Sequence, residues 1–172
     1  MTNINLPLNE KIIQTLKAGD QVLLNGSILT ARDAAHKRLF DCIQKNQPLP
    51  VDIKNQIIYY VGACPPKQGY ALGSCGPTTS SRMDEYTPAL LNLGLTGTIG
   101  KGVRSKEVID AIKKNHAVYF AAIGGAGALY SLCVKSAKIL AYEDLGTECI
   151  MQISIENFPA IVAIDCLGNS IY

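Results

Sequence analysis

Apolar residues in this chain follow two rhythms. Asp20–Gly26, closed by the turn pair Asn25-Gly26, and Thr96–Ile99 read as strands, and the unbroken runs Ile57–Ala63 and Ala117–Ile123, the latter ended by Gly124-Gly125, read as buried ones. Between them apolar residues return every three or four positions. Ala35, Leu39, Cys42 and Ile43 line one face of a helix predicted over 31–45, opened by Thr30 with Asp33 three positions on. Val108, Ile109 and Ile112 do the same for 106–115, capped by Ser105 and closed by Lys113 and Lys114. Shorter helices are expected at Asn9–Leu16, within an N-terminal arm, after Thr87-Pro88 as far as Leu93, and just beyond Gly127. The tail changes character: Ala137–Tyr142, Ile150–Ile155, Ala160–Asp165 and Asn169–Tyr172 are closely spaced, as short antiparallel strands would be. Helices alternate with strands early and strands crowd the end. That order predicts one α/β domain over 1–172, with a mixed sheet whose C-terminal strands are partly antiparallel.

Composition narrows the function classes. The chain has 172 residues, 48% hydrophobic and 17% charged, enough for a proper core and rather apolar for a surface. A net charge of +2, no long basic run and no Trp argue against nucleic acid as a partner. The uncharged run of 18 residues from Ala117 to Val134 has Gly124-Gly125-Ala126-Gly127 at its centre, which suits a strand, turn and helix better than a membrane span. Six cysteines stand no closer than eleven residues apart, so no CxxC pair offers a metal or redox site, and reduced thiols in the cytoplasm are expected.

The chemistry concentrates in Gly73–Asp84, which carries two glycines, a proline, two threonines, three serines and Arg82. Such a stretch cannot fill a core; it exposes backbone N–H groups, hydroxyls and a fixed charge, the makings of an anion site. Its companion is Gly97–Arg104. Arg32, Arg82, Lys101 and Arg104 all fall at element ends or in glycine-rich turns, and Arg32 sits by the positive end of a helix where cations are disfavoured. With Thr78 and Ser80 beside them, they suit a small dianion such as a dicarboxylate; solvated loop charges are the plain alternative. Two phosphate motifs fail. Five residues separate Gly94 from Gly100-Lys101, and Gly102 replaces the hydroxyl a P-loop needs. Tyr130 stands where a dinucleotide fingerprint wants its third glycine.

Four segments, Thr30–Arg38, Gly76–Asp84, Gly97–Gly102 and Gly124–Leu129, occur in an order that resembles the β subunit of the iron–sulfur hydro-lyases. That family holds the class I fumarases and L(+)-tartrate dehydratase, and the resemblance covers nearly the whole chain. It implies a swivelling β/β/α-type domain and a hydro-lyase activity, malate to fumarate or alternatively tartrate to oxaloacetate. It implies a [4Fe-4S] cluster held by a separate α subunit within a larger heteromer, with no ligand from this chain. It implies that Arg32, Arg82 and Lys101 hold the substrate and that Thr78 is the base; a threonine hydroxyl in that role needs local positive charge or a relay, for which Asp84 and His36 are candidates. Lewis acidity from the cluster and an aci-carboxylate stabilised by the three cations would then drive the chemistry. From another class, a non-catalytic domain presenting an anion pocket stays open.

Overall fold

The computed structural model describes residues 1–172. Seven strands and five helices follow in the order β1 (Thr2–Asn5), α1 (Glu10–Thr15), β2 (Gln21–Thr30), α2 (Asp33–Gln44), β3 (Ile57–Tyr59), α3 (Thr87–Asn92), β4 (Gly97–Gly100), α4 (Lys106–Lys114), β5 (Val118–Ala121), α5 (Gly127–Cys133), β6 (Val134–Ala141) and β7 (Ile150–Ile164). The sheet order is β1-β2-β3-β4-β5-β7-β6, and β2 also pairs with β7. That extra pairing closes β2, β3, β4, β5 and β7 into a five-stranded, barrel-like ring. Strands β1 to β5 pair in parallel, while β7 runs antiparallel to β2, β5 and β6. The mixed α/β sheet with antiparallel C-terminal strands is therefore present.

Two apolar clusters explain the unbroken runs. Ile57, Tyr59, Ile99, Val118 and Phe120 pack with Val22, Ile153 and Phe158 in one cluster of 27 buried residues. Their neighbours Ile58, Tyr60, Tyr119 and Ala121 face the other way, into 21 residues shared with Leu39 of α2, Leu90 and Leu91 of α3, and Val108 and Ile112 of α4. Both faces of these strands are buried, so polarity does not alternate along them. The parallel strands β2 to β5 also end at one side of the ring, where a doubly covered parallel sheet presents its loops.

Several expectations are corrected. The N-terminal arm begins as a strand, with Thr2–Asn5 against Val22–Asn25. Asn25-Gly26 is no turn: β2 runs through it, with a register shift against β7 between Leu24 and Gly26. Gly26 has φ 130°, and a Cβ there would lie 2.9 Å from that of Leu6, so the pair forms a bulge under a crossing segment. Thr30 belongs to β2 and its hydroxyl accepts from the Met151 N–H at 3.1 Å, so Arg32 becomes the residue before α2. Ile150–Ile155 and Ala160–Asp165 are halves of one fifteen-residue strand. Asn157, at φ 51°, donates its N–H to the Asn25 side chain at 2.8 Å, so the irregular points of the two paired strands meet. The last segment contributes only an isolated bridge, Ile164 with Ser170. No helix is long and apolar enough to cross a membrane.

One buried ion pair ties the loops to this frame. Arg104 follows β4, its side chain has no exposure, and its Nε donates to Asp84 Oδ1 at 2.7 Å. Its remaining N–H groups reach Thr98, Thr87 and the Tyr60 hydroxyl at 3.1, 2.8 and 3.3 Å, between the rings of Tyr60 and Tyr119. Asp84 completes the knot by accepting from the Ser105 N–H at 2.7 Å. Arg104→Ala leaves a nearly buried carboxylate without its cation, and urea unfolding should read a loss of about 3–5 kcal/mol.

Candidate functional site

Four strand ends and one loop build the candidate site. Beyond β3, Tyr60 still bonds to Ile99 through its N–H, and its carbonyl then accepts the Thr78 N–H at 2.7 Å. Lys101, just past β4, donates its N–H to the Thr78 carbonyl at 3.2 Å and accepts from the Ser80 N–H at 2.9 Å. Residues 78–80 thus lie as a short rung beside Lys101, with Thr79 and Lys101 in parallel register. Glycine is required under this rung: a Cβ on Gly100 would collide with the Ser80 hydroxyl and lie 2.9 Å from the Tyr60 ring. Ser80 is held there by the Tyr119 hydroxyl at 2.9 Å.

The remaining cations arrive from the sides. The Arg32 side chain crosses Gly62, where a Cβ would lie 2.7 Å from its Nη1. Beyond β5, Gly124 lies against the Lys101 stem, 3.5 Å from where a Cβ would stand. Asp33 joins the two arginines. Arg82 donates to both its oxygens in a fork, Nε and Nη2 each at 2.8 Å, and Arg32 Nε donates to it at 3.1 Å. Glu148 adds a second carboxylate, 3.3 Å from Arg32 Nε, while its other oxygen accepts the Ala34 N–H at 2.8 Å at the start of α2. Lys101 pairs with no carboxylate, and the Thr78 hydroxyl makes no hydrogen bond within the chain. The structure therefore brings Arg32 and Arg82 together through Asp33, and Thr78 and Lys101 together through their backbones. Both pairs flank the extension of β3.

Three cations against two carboxylates leave a net positive patch, open to solvent. None of the principal cavities is lined by Arg32, Thr78, Arg82 or Lys101. Burial would raise the Asp33 carboxyl, but its own N–H and the two guanidiniums outweigh that and hold it below the usual carboxylate range. The carboxylate stays ionised, which keeps both forks oriented.

The expected relay partners lie elsewhere. Asp84 is committed to Arg104 and Ser105. His36 is wholly buried on α2, its Nδ1–H donating to the Arg32 carbonyl at 2.9 Å, and its ring meets Tyr60 edge-on at 5.2 Å. Its Nε2 has no partner. Neither side chain bonds to Thr78. Arg104, grouped with the other cations by its place in the chain, lies in the core instead. Sequence reasoning missed Asp33 as a bridge, reading it as a cap, and missed Glu148, which has no local signal because its partners lie more than a hundred residues away.

The cysteines do not fit an iron–sulfur cluster on this chain. All six are free thiols, and no three His, Cys, Asp or Glu side chains gather closely enough to hold a metal ion. Cys75 is buried beside the Gly127 carbonyl, and burial, helped by Cys133 and Cys64, pushes its thiol up to about 12, far from the thiolate a metal would need.

The fumarase C-terminus family model matches residues 1–172. The chain belongs to the fumarase C-terminus family. It is 39% identical over 168 residues to fumarate hydratase 2 of Leishmania major, covering 95% of this chain and 30% of that protein. It is 38% identical over 175 residues to the aerobic class I fumarate hydratase of Salmonella typhimurium, covering 99% and 30%. A Methanocaldococcus jannaschii protein described as an L(+)-tartrate dehydratase subunit beta is 38% identical over 171 residues, covering 96% of this chain and 88% of that one. The chain thus spans under a third of the fumarate hydratases it matches, and most of the tartrate dehydratase subunit. In this member of the fumarase C-terminus family the glycines at 62 and 100 make room for the charged and hydroxyl side chains of the site.

His36 makes the support of Arg32 sensitive to acid. Burial lowers its pKa to about 4, with the nearby Arg104 charge adding to the effect and the Arg32 carbonyl and Asp33 opposing it. An unfolded histidine titrates near 6.5, so the unfolded chain takes up a proton that the folded one refuses until about pH 4. Stability should be unaffected by His36 above pH ~7 and fall by about 3 kcal/mol from pH 6.5 to 4. Urea titrations across that window should show His36→Phe with the shallower decline.

Proposed function

We propose that this chain supplies the carboxylate-binding and proton-transfer half of a hydro-lyase that interconverts malate and fumarate. The observation that carries the reading is the gathering of Thr78, Arg82, Lys101 and Arg32 at the ends of the parallel strands, on an open positive face, in a family whose relatives include fumarate hydratases. Arg82 and Arg32 offer planar forks that suit carboxylates, and Asp33 holds both forks in place without neutralising the patch. Lys101 adds a point charge with no carboxylate of its own. Removing the proton beside a carboxylate spreads charge onto that carboxylate, and fixed cations stabilise the resulting dianion most when it forms.

Thr78 is the proposed base. A threonine hydroxyl is weak in that role at neutral pH and needs a neighbouring positive charge. With Asp84 and His36 engaged elsewhere, that task falls to Lys101, next to Thr78 on the rung. The [4Fe-4S] cluster is assigned to a separate α subunit and takes no ligand from these cysteines. The open face supports this division, since catalysis requires water to be excluded by something that covers the site. The chain would act as one domain of a cytoplasmic heteromer. A second reading, tartrate as substrate, is favoured by the 38% identity over 88% of the Methanocaldococcus protein.

Co-expression with a cluster-bearing α subunit, anaerobic cluster reconstitution and assays with malate, fumarate and L(+)-tartrate test both readings. Turnover of malate and fumarate is expected; turnover of tartrate alone selects the second reading, and no turnover of any removes the enzyme assignment. Arg82→Ala and Lys101→Ala should each lower kcat/KM by roughly 10²–10³-fold, as loss of a charge-stabilising donor does, with the melting curve unchanged. Thr78→Val should end solvent deuterium exchange into the substrate carbon; continued exchange would move the base to another residue.

A further inference from the structure

We infer that the outward face of α5, with Tyr70 and Ile123 on its two sides, is the seat of the α subunit. The inference rests on the hydro-lyase reading and adds to it the surface by which the two halves meet. Leu129 and Leu132 stand three residues apart on one face of α5 and are 65% and 53% exposed. Across from them the 64–74 segment offers Pro65 and Tyr70, the latter 48% exposed, and between the two runs lies a groove of about 460 Å³ floored by the buried Leu72. Lys67 is the one charged residue along it. On the other side lies Ile123, 62% exposed, whose N–H donates to the Tyr130 hydroxyl of α5 at 2.8 Å. Exposed large apolar side chains on both sides of α5 are costly to leave in water and mark a contact surface.

Position in the fold points to the occupant. This surface borders the candidate site directly: Gly124, under the Lys101 stem, follows Ile123, and Gly73 and Ser74 of the groove open the stretch that carries Thr78 and Arg82. A body seated on it therefore closes over the cations. Where the missing chain arrives supports the same assignment. The matched region is 30% of each fumarate hydratase and forms the C-terminus in this family, so most of those proteins precede it and enter through the start of β1. Met1, at that start, lines one small recess together with Ile123, Ala121 and Pro159. A preceding domain thus reaches this chain at the edge of the apolar surface, and a separate subunit taking that domain's place meets the same side chains.

The test is a co-purified complex with the α subunit, comparing wild type, Leu129→Glu/Leu132→Glu and Leu167→Glu as a control. Leu167 is 70% exposed and lies in the loop after β7, outside this surface. Circular dichroism and thermal melts should be alike for all three, because each changed side chain faces solvent. The double variant should bind the α subunit roughly 100-fold more weakly, as loss of an interface centre does, and the control should bind normally. Cys64, an exposed thiol in the groove, gives a second readout: its maleimide labelling should slow sharply in the wild-type complex. A double variant that binds and turns over substrate normally, with Cys64 labelled freely in the complex, overturns the docking surface while leaving the hydro-lyase reading intact. Absence of both complex and turnover in the wild type overturns the two together. A wild-type chain that dimerises alone through this face, and loses the dimer in the double variant, assigns it to a second copy instead.

Discussion

The pairing of Arg104 with Asp84 is the constraint on which the functional half of the molecule depends. Asp84 ends the polar stretch that begins at Gly73, a segment with too few apolar side chains to hold itself in place. Two charges taken out of water are tolerable only when each is fully bonded, and here the guanidinium meets a carboxylate, two threonine hydroxyls and a tyrosine hydroxyl. The carboxylate in turn accepts the N–H of Ser105, the residue that caps α4. One end of the loop is thus nailed to the core, and the other is strung between β3 and β4 through Thr78 and Ser80. Arg82 lies between those two anchors, presented outward with little freedom left to its backbone.

From that follows the economy of the site. Its cations are few, but their supports are separate: Asp33 for the two arginines, the backbone rung for Lys101, and glycines at 62 and 100 where a side chain has to pass. Asp33 places a negative charge inside the positive patch, which weakens its field but stops two guanidiniums from repelling each other apart. What results is an open, preorganised face and not a pocket. In the proposed reading such a face meets a small dianion and becomes a water-excluding site only when another body covers it. The apolar side chains along α5 are the surface proposed for that body.

The sequence was informative where physics acts locally. Unbroken apolar runs marked the buried strands, the spacing in 31–45 and 106–115 marked α2 and α4, and Ser105 signalled its own helix start, accepting from the Val108 N–H at 3.4 Å. Arg32, Thr78, Arg82 and Lys101 stood out because charges and hydroxyls at element ends among glycines have no structural duty that the sequence can display. Arg104 met the same description and turned out to be a core residue. Position in the chain reveals that a charge is not on a helix face; it does not reveal whether a partner is waiting for it inside.

The sequence by itself determined the mixed α/β character, the two amphipathic helices and the polar loop around which function is argued, because each depends on periodicity or composition within a few residues. Tertiary structure decided the rest. The pairing of β2 with β7 turns an open sheet into a ring and makes Asn25-Gly26 a bulge instead of a turn, a choice set by a strand more than a hundred residues away. The bridging of Arg32 and Arg82 by Asp33, the reach of Glu148 to α2 and the burial of His36 are likewise contacts between distant segments. Local pattern cannot encode them, since their free energy exists only once the strands have closed and brought those side chains within bonding distance.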